Sequence, residues 1–398
     1  MMTLFRSLNR LRKDCWQAVT SGRKAATVKI YAADASRRHD LASHPALATT
    51  PMRVVAVVTE TPTAISLTLA RQDGADIDFL PGMFFTLVLR IDGQEYRRAY
   101  SISSAASERR SATITIKRVA DGVVSNHLAE NIAVGARLDV LGPTGNFTVK
   151  PEPGACRELL LVGGGSGITP LMAILRSVLA TESGSRITLF YGNRQLDEVI
   201  FAASLNALEK QYGERLRVWH VLELPPADWS GDSGRLDAER FSRLLTCAYG
   251  EHLPADLTVW QCGPAPMMEG VRAQWLARGL PEPCLHQENF TPGLRPPAAG
   301  ARLPQPITII DHNGGRWQGQ IAGDQSLLDA GLDLGAPMSF SCTLGGCGRC
   351  RVRVLAGDID MPEPNGLLPE ERAQGYALAC IASACSPLTI AIEAPTPN

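Results

Sequence analysis

The chain has 398 residues, of which 45% are hydrophobic and 20% charged, and its net charge at pH 7 is −1. This length is enough for two or three domains, each with a core of its own. The near-neutral charge gives no electrostatic basis for nucleic-acid binding, and the sequence has no run of 18 apolar residues that could span a membrane.

Residues 1–50 are predicted to form a basic amphipathic extension. Leu4, Leu8 and Leu11 recur at helical spacing, and six Lys or Arg residues stand against one acid in residues 1–24. Such a helix can make a peripheral contact with the inner face of an anionic membrane; a helix packed on the protein's own body is the alternative. A cytoplasmic location is expected, since the sequence shows no cleavable secretion signal.

Residues 51–153 are predicted to form an antiparallel β-barrel. Short runs of Val, Ile, Thr and Leu alternate there with turn pairs such as Asp121-Gly122. Within them, Arg98, Tyr100 and Ser101 form an R-x-Y-S sequence. A cation, an aromatic face and a hydroxyl on one strand suit a cofactor that carries a ring and a pyrophosphate; a core role for Tyr100 is the alternative.

Residues 116–128 add a second cofactor signal. A strand is followed by an Asp-Gly turn and by the expected start of a helix at Val123. Free N–H groups at a helix start, together with the Ser125 hydroxyl, form a site for a pyrophosphate. Lys117 and Val119, just before the turn, are further candidates for contact with the same cofactor.

In order and interval, RRAYSIS (97–103), DGVVSNHL (121–128) and LGPTGNF (141–147) resemble the ferredoxin–NADP reductase superfamily. The resemblance implies that Arg98 meets the FAD phosphates, that Tyr100 stacks on the isoalloxazine ring, and that Ser101 lies near flavin N5. The residues that it assigns to the pyrophosphate are Val123, Val124 and Ser125.

Residues 154–290 are predicted to form an α/β domain with a parallel sheet. An apolar strand at 159–162 is followed by GGGSGITP (163–170) and by a helical run. Strand, glycine-rich turn and helix bring backbone N–H groups to a dinucleotide phosphate. The segment resembles the nicotinamide-nucleotide motif of the same superfamily, which implies that Gly165 and Gly167 contact the dinucleotide and that Thr169 approaches the nicotinamide.

Three later segments complete the predicted nucleotide site. Asn193 and Arg194 end the second strand, where an arginine suits the 2′-phosphate of NADPH better than the ribose of NADH; a solvated loop arginine is the alternative. WQCGP resembles a superfamily segment that places Cys262 and Gly263 beside the nicotinamide, with a buried structural thiol as the alternative. QENF (287–290) resembles the end of the reductase module and would bring Glu288 near the flavin edge.

The proline-rich residues 291–306 are predicted to be a linker to a last domain at 307–398. In that domain Cys342, Cys347 and Cys350 are spaced C-x4-C-x2-C, and Cys380 follows after 29 residues. This is the plant-type spacing for the ligands of a 2Fe-2S cluster. A zinc site and disulfides are disfavoured alternatives, and Cys385 is a rival for the fourth ligand.

The domain order resembles the reductase components of bacterial multicomponent oxygenases and fatty-acid desaturases, over about residues 50–398. It implies a multidomain α+β protein with an FAD barrel, an NADP-binding α/β domain and a β-grasp ferredoxin domain. It also implies electron flow from NADPH through FAD and the cluster to a separate terminal oxygenase, hydroxylase or desaturase. The residues expected at the hydride-transfer site are Ser101, Tyr100, Cys262 and Thr169.

Two further interpretations of the sequence stay open at this point. A redox sensor, whose turnover is incidental, would use the same cofactors. An acidic stretch after the cysteine loop is expected either to steer a basic partner protein or to be a solvated surface. Its residues are Asp358, Asp360, Glu363, Glu370 and Glu371.

Overall fold

The computed structural model describes residues 49–290 and 303–393, except residues 324, 344, 364 and 368. These residues form three sheets of five or six strands and one two-stranded sheet. The membrane contact predicted for residues 1–24 lies outside the described residues. None of the helices that the structure describes combines the length and the apolar character needed to cross a membrane.

The first sheet is antiparallel and closes into a barrel. Its strands are β1 (Thr50–Thr61), β2 (Ala64–Arg71), β3 (Phe84–Ile91), β4 (Gln94–Ser101), β5 (Ala112–Lys117) and β6 (Arg137–Thr144), with helix α1 (Val123–Asn131) after β5. They lie in the order β4-β3-β6-β1-β2-β5. Ile102, directly after β4, bridges to Ile114 of β5, so the two edge strands meet. Leu67 and Leu69 are fully buried because a strand turns every second side chain to the same face.

The second sheet is parallel throughout. Its strands are β7 (Glu158–Gly164), β8 (Arg186–Asn193), β9 (Leu216–Leu222), β10 (Asp232–Ser233), β11 (Thr258–Cys262) and β12 (Leu285–Glu288). Its helices are α2 (Ile168–Thr181), α3 (Ala202–Tyr212), α4 (Ala238–Tyr249) and α5 (Ala265–Ala277).

Strand β7 shows why the sequence has a continuous apolar run here. Leu159 and Leu161 pack with α2 in one core, whereas Leu160 and Val162 pack with α4 and α5 in another. Both faces of the strand are therefore covered, as is usual in parallel sheets.

The strand order of this sheet is β10-β9-β8-β7-β11-β12. The chain runs outward from β7 to β10 and then returns to β11, on the other side of β7. In open parallel sheets, ligands bind at the carboxyl ends of the strands where the order reverses. This topology points to the ends of β7 and β11.

The third sheet is mixed and contains the strands β13 (Gln305–Ile310), β14 (Arg316–Ile321), β15 (Arg351–Ala356), β17 (Tyr376–Leu378) and β19 (Leu388–Ala391). Their order is β14-β13-β19-β15-β17, with β13 and β19 parallel. The remaining elements are β16 (Ile359–Asp360), β18 (Ser383–Ala384), α6 (Leu327–Asp333) and α7 (Pro369–Ala373). The cysteine loop lies between α6 and β15.

The predicted fold class is confirmed: the structure has an antiparallel barrel, a parallel α/β sheet and a β-grasp arrangement at the carboxyl end. The residue boundaries of the domains stay predictions. Two of them differ slightly from the strands, because β1 opens at Thr50 and β13 opens at Gln305, inside the predicted linker.

Candidate functional site

The carboxyl ends of β7 and β11 meet with almost no space between their backbones. Cys262 pairs in register with Gly163. A Cβ on Gly167 would lie 2.0 Å from the carbonyl oxygen of Cys262, and one on Gly164 would lie 2.6 Å from Cδ of Pro264. Glycine is required here because one backbone presses directly against the other, which is the close approach that dinucleotide-binding turns use.

The turn after β7 is fixed by two hydroxyl groups. Gly165 has a φ of +53°, and the Tyr191 hydroxyl donates to its carbonyl oxygen at 3.0 Å. Thr169 is 2% exposed, and its hydroxyl donates to the Ser166 carbonyl at 3.0 Å. Thr169 therefore uses its proton to stiffen the start of α2. The sequence does not single out Tyr191, because a tyrosine in an apolar strand has the appearance of a core residue.

Ser101, Cys262 and Glu288 come together where the barrel faces the parallel sheet. Ser101 Oγ lies 3.4 Å from Oε2 of Glu288, and Cys262 pairs in register with Glu288. Loss of solvent around the carboxyl raises the pKa of Glu288 to about 8. Burial, reinforced by Glu288, raises the pKa of the Cys262 thiol. All three groups are thus uncharged at neutral pH, which fits hydride transfer better than hydrolysis.

Arg98 and Tyr100 lie half-buried on β4. Tyr100 packs against the barrel core, and burial raises its pKa. The guanidinium of Arg98 lies 5.9 Å from the ring centroid of Tyr96 and donates from Nη1 to the carbonyl of Arg97 at 2.8 Å. Their neighbouring position on one strand is as the sequence predicted, and their contact with FAD stays a prediction.

The segment before α1 is held on the start of that helix. The N–H of Val119 donates to Ser125 Oγ at 3.1 Å, and no side chain of the described residues caps the helix start at Gly122. Val119 and Val123 are 61% and 47% exposed, whereas Val124 is 2% exposed. Exposed apolar groups beside uncapped N–H groups suit a ligand with an apolar ring and a pyrophosphate.

Lys117 is predicted to contact the cofactor, and in the structure it forms an ion pair with an acidic residue. Its Nζ lies 3.1 Å from Oε2 of Glu198, so the ion pair joins the barrel to the parallel sheet. A Cβ on Gly165 would lie 3.8 Å from the same Nζ. The lysine therefore stands at the nucleotide turn.

Asn193 and Arg194 occupy the carboxyl end of β8. Asn193 is 6% exposed, and neither polar atom of its amide has a hydrogen-bond partner among the described residues. Arg194 is exposed and forms no ion pair within the described part of the chain. An unpaired guanidinium at this edge leaves a positive charge available to a nucleotide.

Four of the five cysteines of the ferredoxin domain lie together as two close pairs. Sγ of Cys350 lies 3.2 Å from Sγ of Cys380. A hydrogen bond with Cys342, followed by burial, raises the pKa of Cys347, and Cys350 acts in the same way on the pKa of Cys380. Among the described residues, no group of three His, Cys, Asp or Glu side chains is arranged for a single metal ion. Two thiol pairs instead fit the two irons of a 2Fe-2S cluster, which has four thiolate ligands.

The cysteine loop also approaches the residues that are predicted to take part in hydride transfer. Asn289, next to Glu288, donates from Nδ2 to the Asn365 carbonyl at 3.3 Å, and the N–H of Gly366 donates to the Gly345 carbonyl at 2.7 Å. A cavity of about 110 Å³ separates these segments; its lining includes Phe84, Phe147, Glu288, Cys347 and Gly348.

Two sequence-based expectations change in the structure. Three acids of the stretch expected to steer a partner are paired within the chain: Glu363 with Arg372, Glu371 with Arg351, and Glu370 with Arg272 at 3.5 Å. Most of that charge is neutralised, so the acidic stretch is not a free patch. Conversely, the sequence analysis gives Glu288 only a peripheral position at the flavin edge, whereas the structure places it beside Ser101 and Cys262. The QENF segment is the sequence signal that locates it.

Comparison with protein families matches the three sheets separately. The family model of the oxidoreductase FAD-binding domain covers residues 52–149, and that of the oxidoreductase NAD-binding domain covers residues 161–273. The model of the 2Fe-2S iron-sulfur cluster binding domain covers residues 310–385.

Curated relatives match along most of the chain. A component of the 1,2-phenylacetyl-CoA epoxidase from Escherichia coli K12 is 32% identical over 334 residues, which are 83% of this chain and 93% of that protein. The ferredoxin reductase component of 3-ketosteroid-9-alpha-monooxygenase from Mycolicibacterium smegmatis is 34% identical, over 84% of this chain and 94% of that protein.

Solved structures agree on the fold. Phthalate dioxygenase reductase superposes with a TM-score of 0.57 at 22% identity, over 86% of this chain and 98% of that chain. The ferredoxin reductase in carbazole 1,9a-dioxygenase has a TM-score of 0.52 at 28% identity, over 61% and 69% of the two chains. Because the curated similarity extends through all three sheets, the chain belongs to the family of ferredoxin-reductase-type oxidoreductases with FAD-binding, NAD-binding and 2Fe-2S domains.

Proposed function

We propose that this protein is the reductase component of an oxygenase system, which takes electrons from NADPH and delivers them singly to a separate terminal oxygenase. One observation carries the proposal: Ser101, Cys262 and Glu288 meet where the barrel, the parallel sheet and the cysteine loop converge. When bound, FAD accepts a hydride and the cluster exchanges single electrons, so the two groups connect a two-electron donor to a one-electron acceptor.

The barrel residues would hold the flavin. Arg98 offers a cation for the phosphates, and Tyr100 offers a flat face for the ring. The N–H groups of Val123, Val124 and Ser125 would bind the pyrophosphate. Val119 would cover an apolar part of the cofactor, and Lys117 would stand between the flavin and the nucleotide.

The parallel sheet would hold the nicotinamide against the flavin. Gly165 and Gly167 shape the turn for the pyrophosphate, and Thr169 stiffens the helix behind it. Cys262 and Gly263 form the adjoining wall of the site. Because hydride transfer requires the reacting atoms to be about 3–3.5 Å apart, these residues act by positioning.

Ser101 and Glu288 would supply hydrogen bonding and a proton at the same place. The carboxyl of Glu288 is protonated below its raised pKa of about 8, and the Ser101 hydroxyl lies within 3.4 Å of it. A neutral carboxylic acid can donate a hydrogen bond where a carboxylate can only accept one.

The preference for NADPH is supported by the exposed and unpaired Arg194 at the end of β8. A guanidinium forms charge-assisted hydrogen bonds with a 2′-phosphate. We expect Arg194→Ala to raise KM for NADPH roughly tenfold, equivalent to about 1.4 kcal/mol, and to leave KM for NADH unchanged. Arg217→Ala, an exposed arginine near the opposite end of the sheet, is the matched control. If Arg194→Ala had the same KM for NADPH as the unmodified protein, Arg194 would not bind the 2′-phosphate.

The acceptor is inferred to be an oxygenase because the relatives described above are named as parts of an epoxidase and a monooxygenase. A desaturase has no comparable support. A cytoplasmic location, with a peripheral contact through residues 1–24, also stays a prediction.

The first experiment is an anaerobic titration of the purified protein with NADPH and then NADH, followed by visible absorption. Flavin and cluster bands that are bleached by NADPH faster than by NADH would agree with the proposal. A colourless protein that holds zinc would contradict it. Slow turnover with every artificial acceptor would favour the redox sensor instead.

The cluster ligands are tested by one matched pair. Cys380→Ser is expected to remove the cluster absorption and leave the flavin bands intact, because Cys380 is paired with Cys350. Cys385→Ser is expected to keep the cluster, because Cys385 is exposed. The reverse result would make Cys385 the fourth ligand.

A further inference from the structure

Arg97 is a buried cation that the flavin motif does not use. It precedes Arg98 on β4 and is 5% exposed. Its guanidinium forms an ion pair with Glu95 at 2.9 Å and lies 5.6 Å from the ring centroid of Phe340. Its Nη1 is buried without a hydrogen-bond partner among the described residues. Such burial is uncommon for arginine and requires an explanation.

The side of the barrel that carries Arg97 contacts the ferredoxin domain. Thr86 Oγ1 lies 2.6 Å from Ser341 Oγ, and Val88 and Leu141 pack against the ferredoxin core. Val88 is the cross-strand partner of Arg97. We call the surface formed by Thr86, Val88, Arg97 and Leu141 the docking face.

Strand geometry separates the two arginines. Successive side chains of a strand point to opposite faces, so Arg97 shares the docking face while Arg98 lies on the other side of β4. The burial of neighbouring residues on β3 agrees with this, because Phe85 and Leu87 belong to the barrel core while Val88 packs on the ferredoxin core.

The contacts made by the docking face reach the start of the cysteine loop. Phe340 and Ser341 directly precede Cys342, the first predicted cluster ligand. A cation over an aromatic ring and a hydroxyl pair therefore hold this end of the loop against the barrel. Farther along the loop, Arg349 donates to Thr144 of β6 at 3.4 Å.

We propose that Arg97 is a positioning residue that docks the ferredoxin domain on the flavin barrel and so sets the rate at which electrons pass from the flavin to the cluster. This role rests on the proposed electron path. It is distinct from that of Arg98, since Arg97 neither shares its face nor serves the flavin phosphates.

The test compares Arg97→Met, which keeps length and removes charge, with Arg97→Lys, which keeps charge and removes the planar group. Arg53→Met is the control, because Arg53 is an exposed arginine of strand β1. The full chain is mixed anaerobically with NADPH, and freeze-quench electron paramagnetic resonance follows reduction of the cluster. Hydrogen exchange of residues 338–342 is measured separately, without reductant.

We expect Arg97→Met to leave flavin bleaching within twofold of the unmodified protein, to slow cluster reduction about tenfold, and to raise exchange of residues 338–342. Arg97→Lys should recover part of both effects, and Arg53→Met should change neither. Unchanged cluster reduction and unchanged exchange in Arg97→Met would overturn the proposal.

A second variant keeps the test decisive if Arg97→Met fails to fold. Thr86→Val removes the hydroxyl pair at nearly constant volume and should slow cluster reduction about threefold, with increased exchange at the same residues. Absence of this effect would also count against the docking face. Failure of the proposed function looks different: the unmodified protein would then show no reduction by NADPH at all, while exchange still reports on docking.

Discussion

The glycine turn within the parallel-sheet domain and the junction of the barrel with the ferredoxin domain are built differently. In the first, backbone meets backbone, with Gly167 pressed on the carbonyl of Cys262. In the second, side chains make the contacts, as in the Thr86–Ser341 and Arg97–Phe340 pairs. A hydride moves only between atoms in contact, whereas an electron can pass between centres that do not touch. The tolerance of each region to displacement matches the particle that is proposed to move there.

The largest effect is expected at the glycine turn. Gly167→Ala would place a methyl group 2.0 Å from the Cys262 carbonyl oxygen and force β7 and β11 apart. Because a displacement of about 1 Å can cost roughly 100-fold in rate, flavin reduction by NADPH should fall by about that factor. Stopped-flow absorption measures it, and Ser166→Ala in the same turn is the control. A rate within threefold of normal would show that this turn tolerates displacement.

An intermediate effect is expected from Glu288→Gln. The folded protein keeps a proton on Glu288 up to about pH 8, whereas the unfolded chain releases it near the ordinary value of 4.5. The stability that this group contributes is therefore complete below about pH 4.5 and is lost as the pH rises through 8. Thermal unfolding between pH 5 and 8 should therefore show that the stability of Glu288→Gln depends less on pH than that of the unmodified protein.

The control for that series is Glu251→Gln, which changes an exposed glutamate. Cys262 and Ser101 are the polar neighbours of Glu288, and neither is expected to titrate in this range. If the stability of Glu288→Gln depended on pH as strongly as that of the unmodified protein, the carboxyl of Glu288 would be ionised in the folded protein.

The smallest effect is expected where the ferredoxin domain meets the parallel-sheet domain, from Glu370→Gln. The Glu370–Arg272 ion pair joins the ferredoxin domain to α5 at 3.5 Å, but its side chains are 42% and 31% exposed. Exposed pairs of this kind contribute about 0–1 kcal/mol. The free energy of unfolding, measured with denaturant, should therefore fall by less than about 1 kcal/mol. Glu363→Gln, which breaks an ion pair inside the ferredoxin domain, is the comparison. A loss of more than about 1 kcal/mol of unfolding free energy in Glu370→Gln would mean that this ion pair is a main contribution to the contact between the two domains.

The local parts of the site were predictable from the sequence. The cysteine spacing, the glycine turn after β7 and the helix start at Val123 each lie within about ten residues, so their geometry follows from local backbone rules. The contact of Ser101 with Glu288 joins residues 187 positions apart. Only the fold brings these two residues together, and the QENF segment by itself does not predict their contact.

Interdomain contacts were the least predictable. Arg97 looks like part of a flavin motif, and the acidic stretch looks like a docking patch, because a sequence does not show which charges are already paired. The burial of Arg97 and the pairing of Glu370 with Arg272 both depend on surfaces contributed by distant segments.

Strand β4 places Arg97 and Arg98 on opposite faces, and this constrains how the chain can change. Shifting the strand by a single residue would exchange the faces of Arg97 and Arg98, because side chains alternate with a period of two. One insertion or deletion would therefore disturb the face proposed for the flavin and the docking face together. A designer who wishes to attach a different ferredoxin domain can vary Arg97 and its docking face, but must keep the length of β4 unchanged.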